Sequence, residues 1–322
     1  MNRKIDISHK TIIFVAVFIL GIWLIYLILD LLIILFVALI LMSAIFPIVK
    51  FLHRFKVPKS LGIALTYIII IGILSALLAI VVPPLVDETR KLILTLPPYL
   101  DSVLEIAAID KSVLQAQLSD LSKNIFSITL SLFDNFLTII FLLVVTFYLL
   151  LERESLEDKL ASLFVCREEK IKRAIVQIEE KLGNWLRGQL FLSLIIGSLT
   201  YIGLLILGVP YALPLAVVAG ILEVVPVIGP IISAIPSVLI TLTISPVLSL
   251  GVAAMYFIIQ QLENNLIVPQ VMKRAVGLNP LMVILAIAIG SRLLGIAGAL
   301  LAVPMTVVIQ IVATRIIEEK RV

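Results

Sequence analysis

The feature that narrows the fold most is a succession of apolar runs long enough to cross a bilayer. Residues 11–29 and 31–49 are separated only by Asp30, and runs at 61–82, 125–151 and 190–209 follow. A spanning helix needs ~20 apolar residues. It forms as a helix because the hydrocarbon core offers no water to unpaired backbone groups. Beyond Pro210 the chain is almost continuously apolar to Val312, with many interruptions. Only 14% of the residues are charged, far fewer than a soluble domain of this length carries. These runs predict an all-α, polytopic membrane protein. The first run is not a removable leader, since it passes straight into the second with no small-residue cleavage site.

Several chemistries are excluded early. One cysteine, Cys166, permits neither an internal disulfide nor a cysteine metal cluster. Two isolated histidines, His9 and His53, make no zinc site. No G-x-x-x-x-G-K-[ST] loop is present, so the chain carries no ATP-driven motor of that type. The sequence points to no cofactor, no metal and no enzyme active site. A net charge of +4 sets topology here and implies no nucleic-acid partner. The partner it does imply is the lipid bilayer.

Short loops rich in lysine and arginine stay cytoplasmic. Arg3, Lys4 and Lys10 place the N-terminus inside, as do Lys50, Arg54, Lys56 and Lys59 for the loop after the second run. The first two runs then form a hairpin turning at Asp30, and residues 1–82 hold three spans. Residues 83–124 carry six acids against four bases, which suits the outer face. Leucines recurring at helical spacing predict short amphipathic helices there, the preceding span ending at Pro83-Pro84 and the helices broken at Pro97-Pro98. Residues 125–151 return inward. Residues 152–188 form a cytoplasmic amphipathic helix with one stripe of Ile171, Ile175, Ile178, Leu182 and Trp185. Arg315, Lys320 and Arg321 put the C-terminus inside.

Residues 189–322 form the transport core, and its irregularity is informative. Residues 212–222 reach about 16 Å, half of a core of ~30 Å. Then comes Glu223-Val-Val-Pro-Val-Ile-Gly-Pro230, in which Pro226 and Pro230 remove donors and Gly229 permits a turn. The design recurs downstream, where Gly290-Ser-Arg-Leu-Leu-Gly295 interrupts the run from Leu281 to Val312. The sequence thus predicts two re-entrant hairpins, 210–245 and 277–316, in opposite orientation. With six full spans they make eight membrane elements. Paired interrupted segments of this kind point to a secondary-transporter site.

A charge at the centre of a membrane helix costs ~2.5–3.5 kcal/mol, which singles out Glu223 and Arg292. Glu223 is a candidate to bind a cation or exchange a proton, and Arg292 to hold an anionic or hydroxylated substrate. A structural Glu223–Arg292 ion pair is the plainer alternative. A third cluster, Gln260, Gln261, Glu263 and Asn264, either packs helices together at the interface or walls a hydrophilic cavity. Asn184 and Gln189, flanking the LRGQ stretch, give a weaker signal of the same kind.

The stretches LGVPYALPLAVVAGILEVVPVIGPIISAIPSVL and QQLENNLIVPQVMKRAVGLNPLMVILAIAIGSRLLGIAGALLAVP resemble the two signature regions of the autoinducer-2 exporter (AI-2E) family of permease-like membrane proteins. The likeness covers nearly the whole chain. It implies about eight membrane elements, a prokaryotic inner-membrane location, and homo-oligomers in some members. It also implies export of a small polar solute such as autoinducer-2, or sodium (lithium)/proton antiport. The leading expectation is a secondary transporter that exports such a solute by alternating access; the alternatives are an antiporter using Glu223, a passive channel or a structural membrane protein.

Overall fold

The computed structural model describes residues 9–107, 136–163, 168–225, 228–242, 244–275, 277 and 279–319, and every regular element among them is helical. In chain order these are α1 (His9–Leu27), α2 (Leu29–Arg54), α3 (Lys59–Ala107), α4 (Phe136–Ser162) and α5 (Glu168–Ile206). They continue with α6 (Ala212–Leu222), α7 (Ile228–Leu242) and α8 (Pro246–Leu262), then a π turn (Glu263–Ile267), α9 (Val268–Ala275) and α10 (Pro280–Glu319). Among the described residues five stretches are long and apolar enough to cross a membrane: Leu29–Arg54, Lys59–Pro84, Glu168–Ile206, Pro246–Val271 and Leu281–Arg315. Ile13–Leu27, Ala212–Leu222 and Gly229–Leu242 are shorter apolar helices. Outward-facing Phe14, Phe18, Ile68, Ile69, Ile73 and Leu74 are exposed, as lipid-facing side chains are.

Several helices run further than the sequence predicts. The i→i−4 ladder crosses the α1–α2 junction, with Ile28 N donating to Leu24 O at 3.1 Å and Leu32 N to Ile28 O at 3.0 Å. Ile28 alone leaves helical geometry, at φ −100° and ψ 10°. One such residue bends a helix, whereas reversing one takes a loop of 2–5 residues. The expected hairpin at Asp30 is therefore a bend, and Asp30 lies in the first turn of α2. Likewise α3 continues through Pro83-Pro84 and Pro97-Pro98. Adjacent prolines delete adjacent hydrogen bonds, and the leucine- and isoleucine-rich turns beyond them resume the ladder. The rest of the expected outer segment, from residue 108 on, lies outside the described residues. The amphipathic stretch expected over 152–188 is the tail of α4 and the first half of α5, the latter continuous with a spanning helix.

Helix α5 is the centre of the bundle. Leu182 and Trp185, from the predicted stripe, are buried against Ile40 of α2 and Leu301, Val303 and Val307 of α10. Higher on α5, Leu204 packs with Leu215, Ile240, Val252 and Tyr256 from α6, α7 and α8. A third cluster joins Met42 and Ile45 to Ile63 of α3 and Leu150 of α4. Arg153 of α4 pairs with Glu179 of α5 at 2.6 Å and lies 4.2 Å over the Phe46 ring of α2.

Polar residues of α5 serve a broken neighbour. Pro47 sits inside α2 and has no N–H, so the Ser43 carbonyl loses its intrahelical donor. The Arg187 guanidinium donates to Ser43 O at 3.4 Å and Ala44 O at 3.1 Å, and is steadied by Asn184 Oδ1 at 2.8 Å. Gly183 makes the approach possible, because a Cβ there would overlap the Ser43 carbonyl. Asn184 and Arg187 of this stretch thus form a clasp on a proline break.

Candidate functional site

Helix α6 begins at Tyr211, whose φ of 59° lies in the left-handed region, and ends after eleven residues. Its last turn closes with Glu223 N donating to Ala219 O at 3.0 Å and Val225 N donating to Leu222 O at 3.0 Å. The chain then folds back into α7. Gly229 lies so close to the Leu222 carbonyl that a Cβ would overlap it. Only glycine allows the two arms to meet at this distance. Pro230 is buried at the start of the returning arm, and Pro226 lies outside the described residues.

This turn buries Glu223, which is 1% exposed. Its backbone carbonyl accepts a 2.7 Å hydrogen bond from Gln189 Nε2 of α5, itself buried. Here α5 and α6 touch backbone to backbone: a Cβ on Gly220 would stand 2.9 Å from the Ser193 carbonyl. The Glu223 carboxyl faces the end of α8. There the helix widens into a π turn from Glu263 to Ile267, a form common at functional sites. Glu263 is 3% exposed, and its carboxyl lies beside that of Glu223. Gln260 Nε2 donates to Glu263 Oε2 at 3.1 Å and reaches Asn264 Oδ1 at 3.5 Å. Glu223 Oε2 is buried and has no hydrogen-bond partner among the described residues.

The chemistry of the pair follows from its donors. An ionised carboxylate only accepts hydrogen bonds, so two carboxyls bond to each other only when one carries a proton. With both ionised, they repel at short range outside water, and a cation between them relieves the repulsion. The pair is built to hold one positive charge, as a proton or a small cation.

The structure therefore joins Glu223 to Glu263 and Gln260. It does not join Glu223 to Arg292, which is exposed and has no ion-pair partner among the described residues. Arg292 lies at the break inside α10, where Leu294 (φ −132°) and Gly295 (φ 60°) leave helical geometry. Across this break Gly290 and Gly298 press together, and a Cβ on either would overlap the carbonyl of the other. Residues eight apart on a straight helix stand about 12 Å apart, so the chain has turned back on itself here too. Gln261 and Asn264 are exposed on the far face of the π turn, and Asn265 Nδ2 donates to Gln261 O at 2.9 Å.

Sequence reasoning missed the hydroxyl groups beside the pair. Ser233, Ser237 and Thr241 of α7 are each at most 1% exposed, and Ser237 shares a 2.8 Å hydrogen bond with the Tyr256 hydroxyl of α8. Their spacing of four, one helix face, was a signal available in the sequence.

Comparison with known proteins adds a family context. A family model described as "AI-2E family transporter" matches residues 12–318. The AI-2 transport protein TqsA of Escherichia coli is 30% identical over 280 residues, covering 82% of this chain and 80% of TqsA. YueF of Bacillus subtilis, whose name assigns it to transport, is 30% identical over 292 residues, or 82% of this chain and 78% of YueF. A sodium-lithium/proton antiporter of Halobacillus andaensis is 30% identical over 167 residues, 52% of this chain and 47% of that protein.

Proposed function

The chain belongs to the AI-2E transporter family, and from that premise we propose that it is a secondary transporter whose coupling site is the Glu223–Glu263 pair. The pair takes up a proton or a monovalent cation and releases it to the other side by alternating access. The carrying observation is the buried Glu223 carboxyl, set beside a second buried carboxyl and with one oxygen unpartnered. Burying such a pair costs several kcal/mol, a cost that folding alone gives no reason to bear. In this reading the turns after α6 and inside α10 are the tips of two opposed re-entrant hairpins. Irregular backbone at membrane depth is tolerated there because it is buried in protein or lines a cavity.

Sodium or lithium exchange for protons is the reaction this geometry supports best. The antiporter relative, which covers about half of this chain, agrees with it. Export of a small polar solute such as autoinducer-2 is the second reading. It is favoured by TqsA, which matches over most of both chains. In that case the pair couples the solute to proton flow.

The test uses purified protein in liposomes loaded with a pH-sensitive dye. Sodium, lithium and potassium gradients are imposed in turn on wild type and Glu223→Gln. Cation-dependent proton movement that disappears in the variant supports exchange at this pair. Wild-type protein that moves no protons under any gradient rejects exchange, and labelled autoinducer-2 uptake into inverted vesicles then tests the second reading.

A further inference from the structure

Resting on the carboxyl-pair reading, we propose that the interface between α7 and α8 is a hydroxyl-lined access route for protons, running from Glu223–Glu263 to the corner at residues 242–246. The two helices are antiparallel neighbours whose register is fixed by two contacts. Ser237 Oγ and Tyr256 OH are 2.8 Å apart, and Ser249 Oγ donates to Val238 O at 3.0 Å. One turn toward the pair, the same register brings Ser233 level with Gln260 and Pro230 level with Glu263. One turn the other way it brings Thr241 level with Val252, with Ser249 one turn of α8 beyond and bonded to the Val238 carbonyl.

The polar groups along this line are enclosed and recur from turn to turn. Glu263, Gln260, Tyr256 and Ser249 share one face of α8 and its π turn, and Ser233, Ser237 and Thr241 share the facing side of α7. Glu263, Ser233, Ser237, Thr241 and Ser249 are at most 5% exposed, and Tyr256 is 8% exposed. The row ends inward at Glu263, beside Glu223. Its outer end is the corner, where Pro246 and Val247 are exposed. Serine and threonine hydroxyls in membrane helices commonly bond to their own backbone. Thr241 does so to Ser237 O at 2.8 Å and Ser233 to Pro230 O at 2.9 Å. Such bonds use the hydrogen and leave lone pairs open to water. The Ser237–Tyr256 bond is different, since it joins two groups that each donate and accept. A proton entering such a chain is accepted by one oxygen while that oxygen's own hydrogen passes to the next, so nothing is consumed.

The test is thiol accessibility in full-length protein carrying Cys166→Ser, reconstituted in liposomes. Ser233→Cys, Ser237→Cys and Thr241→Cys are treated from either side with a small charged methanethiosulfonate. Leu204→Cys, on α5 within the apolar cluster, is the control. The route predicts labelling of all three at least tenfold faster than the control, from one side only. Three cysteines as silent as the control overturn it. A second measurement uses Tyr256→Phe, which keeps the ring and removes the hydroxyl. The route predicts a roughly tenfold slower proton movement in protein that stays folded, and an unchanged rate counts against it. The two readings fail separately. Labelled cysteines without cation-driven proton movement keep the route and reject exchange. Glu223-dependent exchange with silent cysteines keeps exchange and rejects the route.

Discussion

At the turn after α6 the chain buries Glu223 against Glu263. At the turn inside α10 it presses two glycines together and leaves Arg292 on the surface. Both places reverse a helix, and both use a glycine whose missing side chain lets one arm touch the other's carbonyl. The difference is what each turn meets. The first meets Gln189 of α5 and the π turn after α8, which supply a polar enclosure. The second closes on itself. One local design thus gives a chemical site or a mechanical fastening, according to the neighbours packed around it.

The sharpest way to break this comparison is to remove each charge. Glu223→Gln is expected to lower cation-driven proton movement at least 100-fold, read in dye-loaded liposomes. The amide still fits the pocket and bonds to Glu263, so the thermal midpoint should move little. A variant that keeps its flux would remove the chemical distinction between the turns.

Next in size are the glycine contacts. Gly298→Ala forces a methyl into the Gly290 carbonyl, and Gly229→Ala forces one into that of Leu222. Overpacking of this kind costs about 1–3 kcal/mol. Each variant should unfold at lower temperature in detergent. Similar losses at both turns would confirm the shared plan, and a harmless Gly298→Ala would show that α10 does not fold back.

Gln189→Leu tests the first turn alone. It leaves the Glu223 carbonyl buried and unpaired, at a cost of about 1–3 kcal/mol, and should also slow transport. Arg187→Gln should cost about 1 kcal/mol by freeing the Ser43 carbonyl. Adding Pro47→Ala returns an N–H to that carbonyl, so the double variant should recover part of the loss in a double-mutant cycle. Additive losses would show that Arg187 does something else. Arg292→Gln should have the smallest effect, within about 0.5 kcal/mol as for an exposed surface substitution.

Much of the plan was legible because breakers stand out in an apolar chain. Gly229, Pro230, Gly290 and Gly295 mark the turns, and Glu223 and Glu263 are conspicuous by charge. Their partnership was not legible. Forty residues separate them, and the oppositely charged Arg292 is the obvious mate on paper. Packing decided otherwise, by setting the turn against the end of α8 and the break in α10 away from it. Helix ends were hard to place for a related reason. Pro83-Pro84, Pro97-Pro98 and Asp30 are stop signals in water, yet α3 and the α1–α2 junction run through them. The hydroxyls of α7 escaped notice because serine and threonine barely disturb an apolar average, although their four-residue spacing was there to count.

The clasp at Pro47 and the bond to Glu223 are both made by α5, within about 20 Å of one continuous rod. A strut fastened at two points so near together lets neither partner slide against the other. Helix α2 and the first arm of the turn, α6, are thereby tied to α5 as a stator. Helices α7 and α8 meet that frame through interdigitated apolar side chains, the kind of contact that small shear motions shift. If the pair moves, this bracing predicts that the Gln189 side holds and the Glu263 side shifts.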